Sequence, residues 1–309
     1  MSNPAFLKRI EKAKKRREGY VNNSLSGSLR QPQYQPESNF MNWRYESNRS
    51  GNPNYIDFSD DNFVMNYQGG VAVERPAANS STMAYGQQAS TLPMNKDPIE
   101  FVIDPKKIVM FHGTHYLSNL ARSKITIEGY SYGSVEHYYQ ACKLYTLAGS
   151  NVALQMANVQ DPRHCKGTVK QLLQGIADNR TVETWKRREA PEILIHALCN
   201  KFAQNQHLRQ KLLATEDAIL MHTFAKDSVW ATGMTEEATV KWATDNAGKT
   251  IKIPRVFEKT NFENHQNLCQ IGKGKNILGV LLMMVREALR PDLGRADPRI
   301  VSLVNSLIQ

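Results

Sequence analysis

The feature that most constrains this chain is a break in composition about a third of the way along it. From about Gly19 to Asp97 the residues are mostly Asn, Ser, Gln, Gly and Pro with scattered Tyr, as in Gln31-Pro-Gln-Tyr-Gln-Pro36 and Asn48-Arg-Ser-Gly-Asn-Pro-Asn-Tyr55. No period of 2 or 3.6 is sustained there. A stretch of this kind cannot bury enough apolar area to offset the entropy of ordering it, so it reads as disordered. Ahead of it, residues 5–18 form a basic amphipathic run, Ala5-Phe-Leu-Lys-Arg-Ile-Glu-Lys-Ala-Lys-Lys-Arg-Arg-Glu18. An import signal, a nucleic-acid arm and a charged helical tail all fit that run. The sequence therefore divides into a disordered basic and polar region over 1–98, a folded domain over 99–292, and a C-terminal tail over 293–309 that could form a short helix.

The 309 residues carry a formal charge of +10. An excess of that sign favours polyanionic partners such as nucleic acid or phosphate-rich ligands. Cys142, Cys165, Cys199 and Cys269 lie far apart, with neither C-x-x-C spacing nor paired histidines. The pattern predicts no metal site, no cofactor ligation and no disulfide framework, and it suits a reducing compartment. No apolar leader precedes a small-residue cleavage site. The most apolar run, Ile277 to Val285, is too short to span a bilayer. The expectation is a soluble intracellular chain, cytoplasmic or nuclear, without a membrane partner; its oligomeric state stays open.

Within the folded part, Gly133-Ser-Val-Glu-His-Tyr-Tyr-Gln-Ala-Cys-Lys143 separates into two helical faces. Val135, Tyr138, Tyr139 and Cys142 recur at i, i+3, i+4, i+7, the stripe of a helix packed on a core. Glu136, Gln140 and Lys143 fall at i, i+4, i+7 on a neighbouring face. Ser134 is placed to cap the helix, which puts Glu136 in a first turn that favours a carboxylate. A pair of solvated charges on an ordinary amphipathic helix would give the same spacing.

Around this helix, Ile108–His112 and Ala218–His222 read as buried strands, and Ile125–Ile127 with Tyr130–Tyr132 as a hairpin. Helices are expected over Asn151–Val159, from Asp161-Pro162 to Ile176, from Pro191 to about Ala203, over Leu208–Thr215, and over 277–289. The fold class is α+β, predominantly helical.

A series of short motifs runs along 108–290. Leu117-Ser-Asn119 comes first, then Glu136-His-x-x-Gln140-Ala-x-Lys143 and Trp185-x-x-Arg188. Lys201-Phe-x-x-Asn205, Leu212-Leu-x-Thr215, Asp227-x-x-Trp230-x-x-Gly233 and Asn276-x-Leu-Gly279 follow, ahead of Met283-x-Val-Arg286. In this order they resemble the NADAR domain family. That resemblance implies a hydrolase of N-glycosidic bonds, because the family includes N-glycosidases of riboflavin-pathway intermediates and hydrolases that remove ADP-ribose from modified guanine. Two positions depart from the pattern: His222 stands where a carboxylate is common, and Ala231 where glycine is. The segment 234–272 is longer than the family pattern and reads as an insertion. These departures bear on rate and substrate choice more than on fold.

Cleaving a base–ribose C–N bond builds positive charge on the sugar and negative charge on the leaving base, so it calls for a carboxylate and a proton donor. Glu136 and Lys143 are the candidate catalytic pair. Lys143 has two candidate roles: to bind a phosphate or the leaving base, or to attack the anomeric carbon of an opened sugar as a Schiff-base nucleophile. Asn119, Gln140, Trp185, Arg188, Asp227 and Trp230 are the candidate substrate-binding residues. The tryptophans could stack on a flat ring, and Arg188 could grip a diphosphate. The bland readings are core tryptophans, an Asp227 that caps its own loop, and a His222 held in the core.

The expected substrate is an ADP-ribose-type or ribosylated-base compound, and the expected further partner is nucleic acid through the N-terminal basic segment. A non-catalytic module that binds ADP-ribose or a nucleotide, tethered to RNA or DNA by the tail, is the alternative from another class. A third reading makes the tail an RNA-binding element with the domain as its passenger.

Overall fold

Short segments of three or four residues make the strands, some alternating buried and exposed positions and the parallel pair running apolar almost throughout. The computed structural model describes residues 94–309, apart from 266, 267, 292 and 309. The expected disorder over 1–98 therefore lies, up to residue 93, outside the described residues. Strand β1 (Ile99–Val102) alternates buried and exposed positions and pairs antiparallel with β6 (Thr250–Ile253), Ile99 opposite Ile253. Strands β2 (Ile108–Phe111) and β5 (Ile219–His222) are parallel, with Phe111 opposite His222 at their C-terminal ends. Strands β3 (Ile125–Ile127) and β4 (Tyr130–Tyr132) form the hairpin read from the sequence.

Helices make up most of the rest: α1 (Val135–Ala148), α2 (Ser150–Ala153), α3 (Pro162–Leu172), α4 (Asn179–Arg188), α5 (Ala190–Gln204), α6 (Gln206–Leu213), α7 (Glu236–Asp245), α8 (Lys259–Asn264), α9 (Ile277–Leu289) and α10 (Pro298–Leu307). The chain is thus α+β and predominantly helical. Side-chain caps start many of these helices. Ser134 accepts from the His137 amide, Asp161 from Arg163, Asp178 from Thr181, Thr235 from Ala238 and Asp297 from Arg299. Each satisfies a backbone donor that a helix start would otherwise leave open.

Helices α5 and α9 are apolar on nearly every side and form the centre of the core, with α1, α10 and β5 packed around them. Helix α9 approaches β5 closely because residue 279 is glycine: a Cβ there would strike the Leu220 carbonyl and the Asn276 amide. Asn276, in the left-handed region at φ 50°, donates to the Leu220 carbonyl at 2.8 Å and accepts from the His222 amide at 2.9 Å. Its side chain stitches the helix start to the strand. Arg286 is wholly buried and donates to the Ala218 carbonyl at 2.7 Å and to Thr215 Oγ1 at 3.0 Å, beside Glu287. Three of the sequence motifs therefore meet as scaffold.

Some elements differ from the sequence reading. The stretch 234–272 supplies β6, the partner of β1, and carries α7 and α8; Phe262 of α8 stacks on Phe257 with ring centroids 4.9 Å apart. It is built into the domain. Residues 293–309 include α10, whose Ile300, Val301, Leu303 and Val304 are buried against α5 and α9. The short helix allowed for this tail thus forms and packs on the domain. Trp185 and Arg188 lie within α4, a helix capped by Asp178 that the sequence reading did not include.

Candidate active site

The first turn of α1 is held from three directions. Ser134 Oγ accepts from the His137 amide at 3.2 Å and lies 2.8 Å from His137 Nδ1, while His137 Nε2 meets the Val159 carbonyl at 2.8 Å. The Glu136 amide donates to the Asn119 carbonyl at 3.0 Å. His137 therefore fastens the helix start.

On this frame the three residues spaced i, i+4, i+7 form one hydrogen-bonded row. Gln140 Nε2 donates to Glu136 Oε1 at 2.7 Å, and Lys143 Nζ donates to Gln140 Oε1 at 2.9 Å. Gln140 and Lys143 are 2% and 5% exposed, so the solvated-charge reading does not hold for this face. Gln140 has both ends of its amide engaged within the row. It bridges the acid and the amine, where the sequence reading had it contact substrate.

Burial moves the two ionisable ends toward each other. It raises the Glu136 carboxyl above its ordinary value, opposed by the Gln140 hydrogen bond and the Lys143 charge. It lowers Lys143 to about 8, opposed by Glu136 and reinforced by the charges of Lys186 and Lys166. The Lys143 ammonium also faces the rings of Tyr139 at 4.7 Å and Trp185 at 5.5 Å. Those rings pack at 5.4 Å, which makes a dry aromatic wall.

Trp185 is only 4% exposed, so it has no open face for stacking, and the platform role expected of it does not fit. It lines the wall, and its indole Nε1 is buried without a hydrogen-bond partner, as is Asn119 Oδ1. A buried donor and acceptor left open are costly in a closed core and suit a ligand that completes them. Asn119 thus stays among the ligand-facing candidates.

The loop after β5 is built on Asp227, whose Oδ1 accepts from the Val229 and Trp230 amides at 2.9 and 2.8 Å. Its charge adds to the burial that raises the Tyr139 hydroxyl. Trp230 packs half-buried on the core, and its carbonyl accepts from the Leu278 amide at 3.2 Å. Arg188 is exposed at the end of α4, one turn past Trp185. Neither Trp230 nor Arg188 shares a hydrogen bond with the row.

At the departures from the family pattern, His222 stacks on Phe111 at 5.2 Å and has Nδ1 3.4 Å from the Trp230 carbonyl, and burial lowers its pKa. It is a held ring. Ala231 is fully enclosed.

Sequence reasoning missed Tyr139, Lys166 and Lys186. Tyr139 was absorbed into the core stripe, although its place four residues before Lys143 signals a ring under the amine. The two lysines come from other helices, and no local spacing marks them. A groove lined by Thr114, Tyr116, Leu120, Arg122, Asp161 and Arg163, among others, opens beside Asn119; none of the row's side chains lines it. Among the described residues no group of three or more His, Cys, Asp or Glu is placed to hold a metal, and no helix is long and apolar enough to cross a membrane.

Fold and site together define a helical α+β domain built around an acid–amide–amine row whose amide and amine are buried and whose acid is half-buried. The chain belongs to the NADAR domain family, whose model matches residues 106–290. A riboflavin biosynthesis protein of Vibrio vulnificus (strain YJ016) is 27% identical over 183 residues, covering 58% of this chain and 36% of that protein. The chain thus spans about a third of the length of the curated relative it matches. The NMR structure of the E. coli protein YbiA is similar at 25% identity with a TM-score of 0.40, covering 59% of this chain and 84% of that one.

Proposed function

We propose that the Glu136–Gln140–Lys143 row hydrolyses an N-glycosidic bond, releasing ADP-ribose from a modified guanine in nucleic acid or nucleotide. The observation that carries this reading is the hydrogen-bonded pairing of a carboxyl shifted up with an amine shifted down to about 8. Environments that push an acid and a base toward neutrality mark groups that exchange protons in a reaction. Lys166 and Lys186, whose charges reach Lys143, favour a substrate bearing phosphate.

In this mechanism Glu136 passes a proton to the sugar ring oxygen, which opens the ring at C1. The neutral Lys143 amine adds to C1, the C1–N bond to the base breaks, and the base leaves with a proton. Water then hydrolyses the imine, restoring the amine and freeing the sugar. The net reaction consumes one water. The depressed Lys143 value favours this nucleophilic role over simple phosphate binding, which suits an ammonium.

The name of the Vibrio relative favours a second substrate, a ribosylated pyrimidine of the riboflavin pathway, for the same row. Full-length protein incubated with a guanine–ADP-ribose oligonucleotide, and separately with the ribosylated aminopyrimidine phosphate, distinguishes the two by mass spectrometry of the released sugar. Release by wild type and none by Glu136→Gln supports the proposal. Tight binding of either compound with no product on long incubation would replace it with the non-catalytic binding module.

A further inference from the structure

A second buried lysine, outside the row, sits one residue away from the contact that anchors it. Lys201 of α5 is 0% exposed, and its Nζ donates to the Ser118 carbonyl at 2.9 Å. Its ammonium also faces the Phe202 ring at 5.2 Å. Burial lowers it to about 7, and no carboxylate counts among the causes. Burying an amine at this cost calls for a return elsewhere in the fold.

What Lys201 holds is the peptide next to the site. The Ser118 carbonyl that it grips also accepts from the Ala121 amide at 3.2 Å. The following carbonyl, that of Asn119, accepts from the Glu136 amide at 3.0 Å, and Asn119 Oδ1 is one of the buried atoms without a partner. Two neighbours of Lys201 grip the same strand of chain further on. Gln204 exchanges hydrogen bonds with Thr126 N and O at 2.8 and 2.7 Å, and Asn205 Nδ2 donates to the Lys124 carbonyl at 3.3 Å. The last turn of α5 is thus a clasp along 118–126, and Lys201 is its end nearest the row.

We propose that Lys201 is a positioning residue for the Glu136 site: by pinning the Ser118 carbonyl it sets the Asn119 carbonyl against the Glu136 amide and so fixes the first turn of α1. An apolar side chain of similar length would fill the space but leave the 118–121 turn free to shift. A displacement of about 1 Å in a positioned group costs on the order of a hundredfold in rate. The loss then falls mainly on kcat, with any rise in KM limited to the contact that Asn119 makes.

The kinetic part rests on the glycosidase reading; the structural part does not. The test is therefore run as amide hydrogen exchange on full-length protein alone, with kinetics beside it. Lys201→Met is expected to exchange at least tenfold faster at 119–121 and 134–138, with 277–289 of α9 as protected as in wild type. Gln204→Ala is expected to loosen 124–127 and leave 134–138 protected. If Lys201→Met does not fold, Lys201→Arg takes its place, and the same local loosening ahead of α9 is expected because the planar head cannot hold the Ser118 carbonyl in the lysine geometry. Equal acceleration throughout the domain, or none at 134–138, would overturn the proposal. Wild type that cleaves neither substrate would sink the glycosidase reading while the exchange data still decide the role of Lys201.

Discussion

Lys143 and Lys201 are both helix lysines almost wholly out of solvent, and burial lowers them to about 8 and about 7. They differ in what they face. Lys143 is joined through Gln140 to a carboxylate, lies over two aromatic rings, and shares its wall with an indole N–H that has no partner. Lys201 donates to a backbone carbonyl. A depressed lysine is therefore not itself the mark of a reacting group. What separates the two is a titratable partner within the same hydrogen-bonded row, together with polar atoms left open for a ligand.

The sharpest way to break the comparison is through the carboxylate that only Lys143 has. Glu136→Gln keeps the shape and the contact to Gln140 but removes the proton carrier. Cleavage is expected to fall about 10²–10⁴-fold with ligand binding retained, read from single-turnover rates and a direct binding assay. Unchanged cleavage would move the chemistry away from the row.

Next in size come the lysines themselves. Lys143→Met is expected to lower the rate at least about a hundredfold with little change in melting temperature, because the desolvated amine it removes is offset by the donor that the buried Gln140 Oε1 loses. Lys201→Met is expected to lose rate and local order at 118–121 more than global stability, because the Ser118 carbonyl keeps the Ala121 amide as a donor but loses the lysine that pins it. If both variants lost only stability, the distinction between them would collapse.

The pH dependence of stability sharpens the same contrast. The folded value of Lys201, about 7, lies below the ordinary 10.5, so between these two pH values the unfolded chain binds more protons than the folded one. Unfolding free energy therefore rises with pH across that window. Denaturant titrations from pH 6 to pH 10 are expected to show this rise in wild type and a weaker one in Lys201→Met. Lys143 contributes the same sign over the narrower window from about 8 to 10.5.

The smallest expected effect belongs to Trp185. Trp185→Phe removes the unpartnered indole N–H and keeps most of the wall. Stability should change little, and ligand affinity should weaken by about 1 kcal/mol, or roughly fivefold, in a calorimetric titration.

Much of this was legible in the sequence wherever one element carries its own signal. The parallel strands, the hairpin, and helices α1, α5 and α9 follow from short apolar runs and helical periods, and Ser134 marks the start of α1. The Glu136–Gln140–Lys143 row was legible as spacing, and the resemblance of its motif to the family supplied a chemistry. Its burial was not, because Tyr139 belongs to the core stripe while Trp185, Lys186 and Lys166 arrive from α4 and α3. The same limit hid β1 and β6, each four residues long, whose partner lies far away in sequence. A short helix in 293–309 was legible, but not that α10 packs on α5 and α9. For Trp185 the sequence left platform and core both open, because residue type carries no information about which face is covered.

Borohydride trapping during turnover tests the central claim most directly. Full-length protein would be mixed with the guanine–ADP-ribose oligonucleotide, reduced, digested and mapped by mass spectrometry. The account predicts a reduced sugar adduct on Lys143, lost in Glu136→Gln, with Lys201 unmodified. Continued release of ADP-ribose with no adduct on Lys143, or an adduct on Lys201, would contradict it.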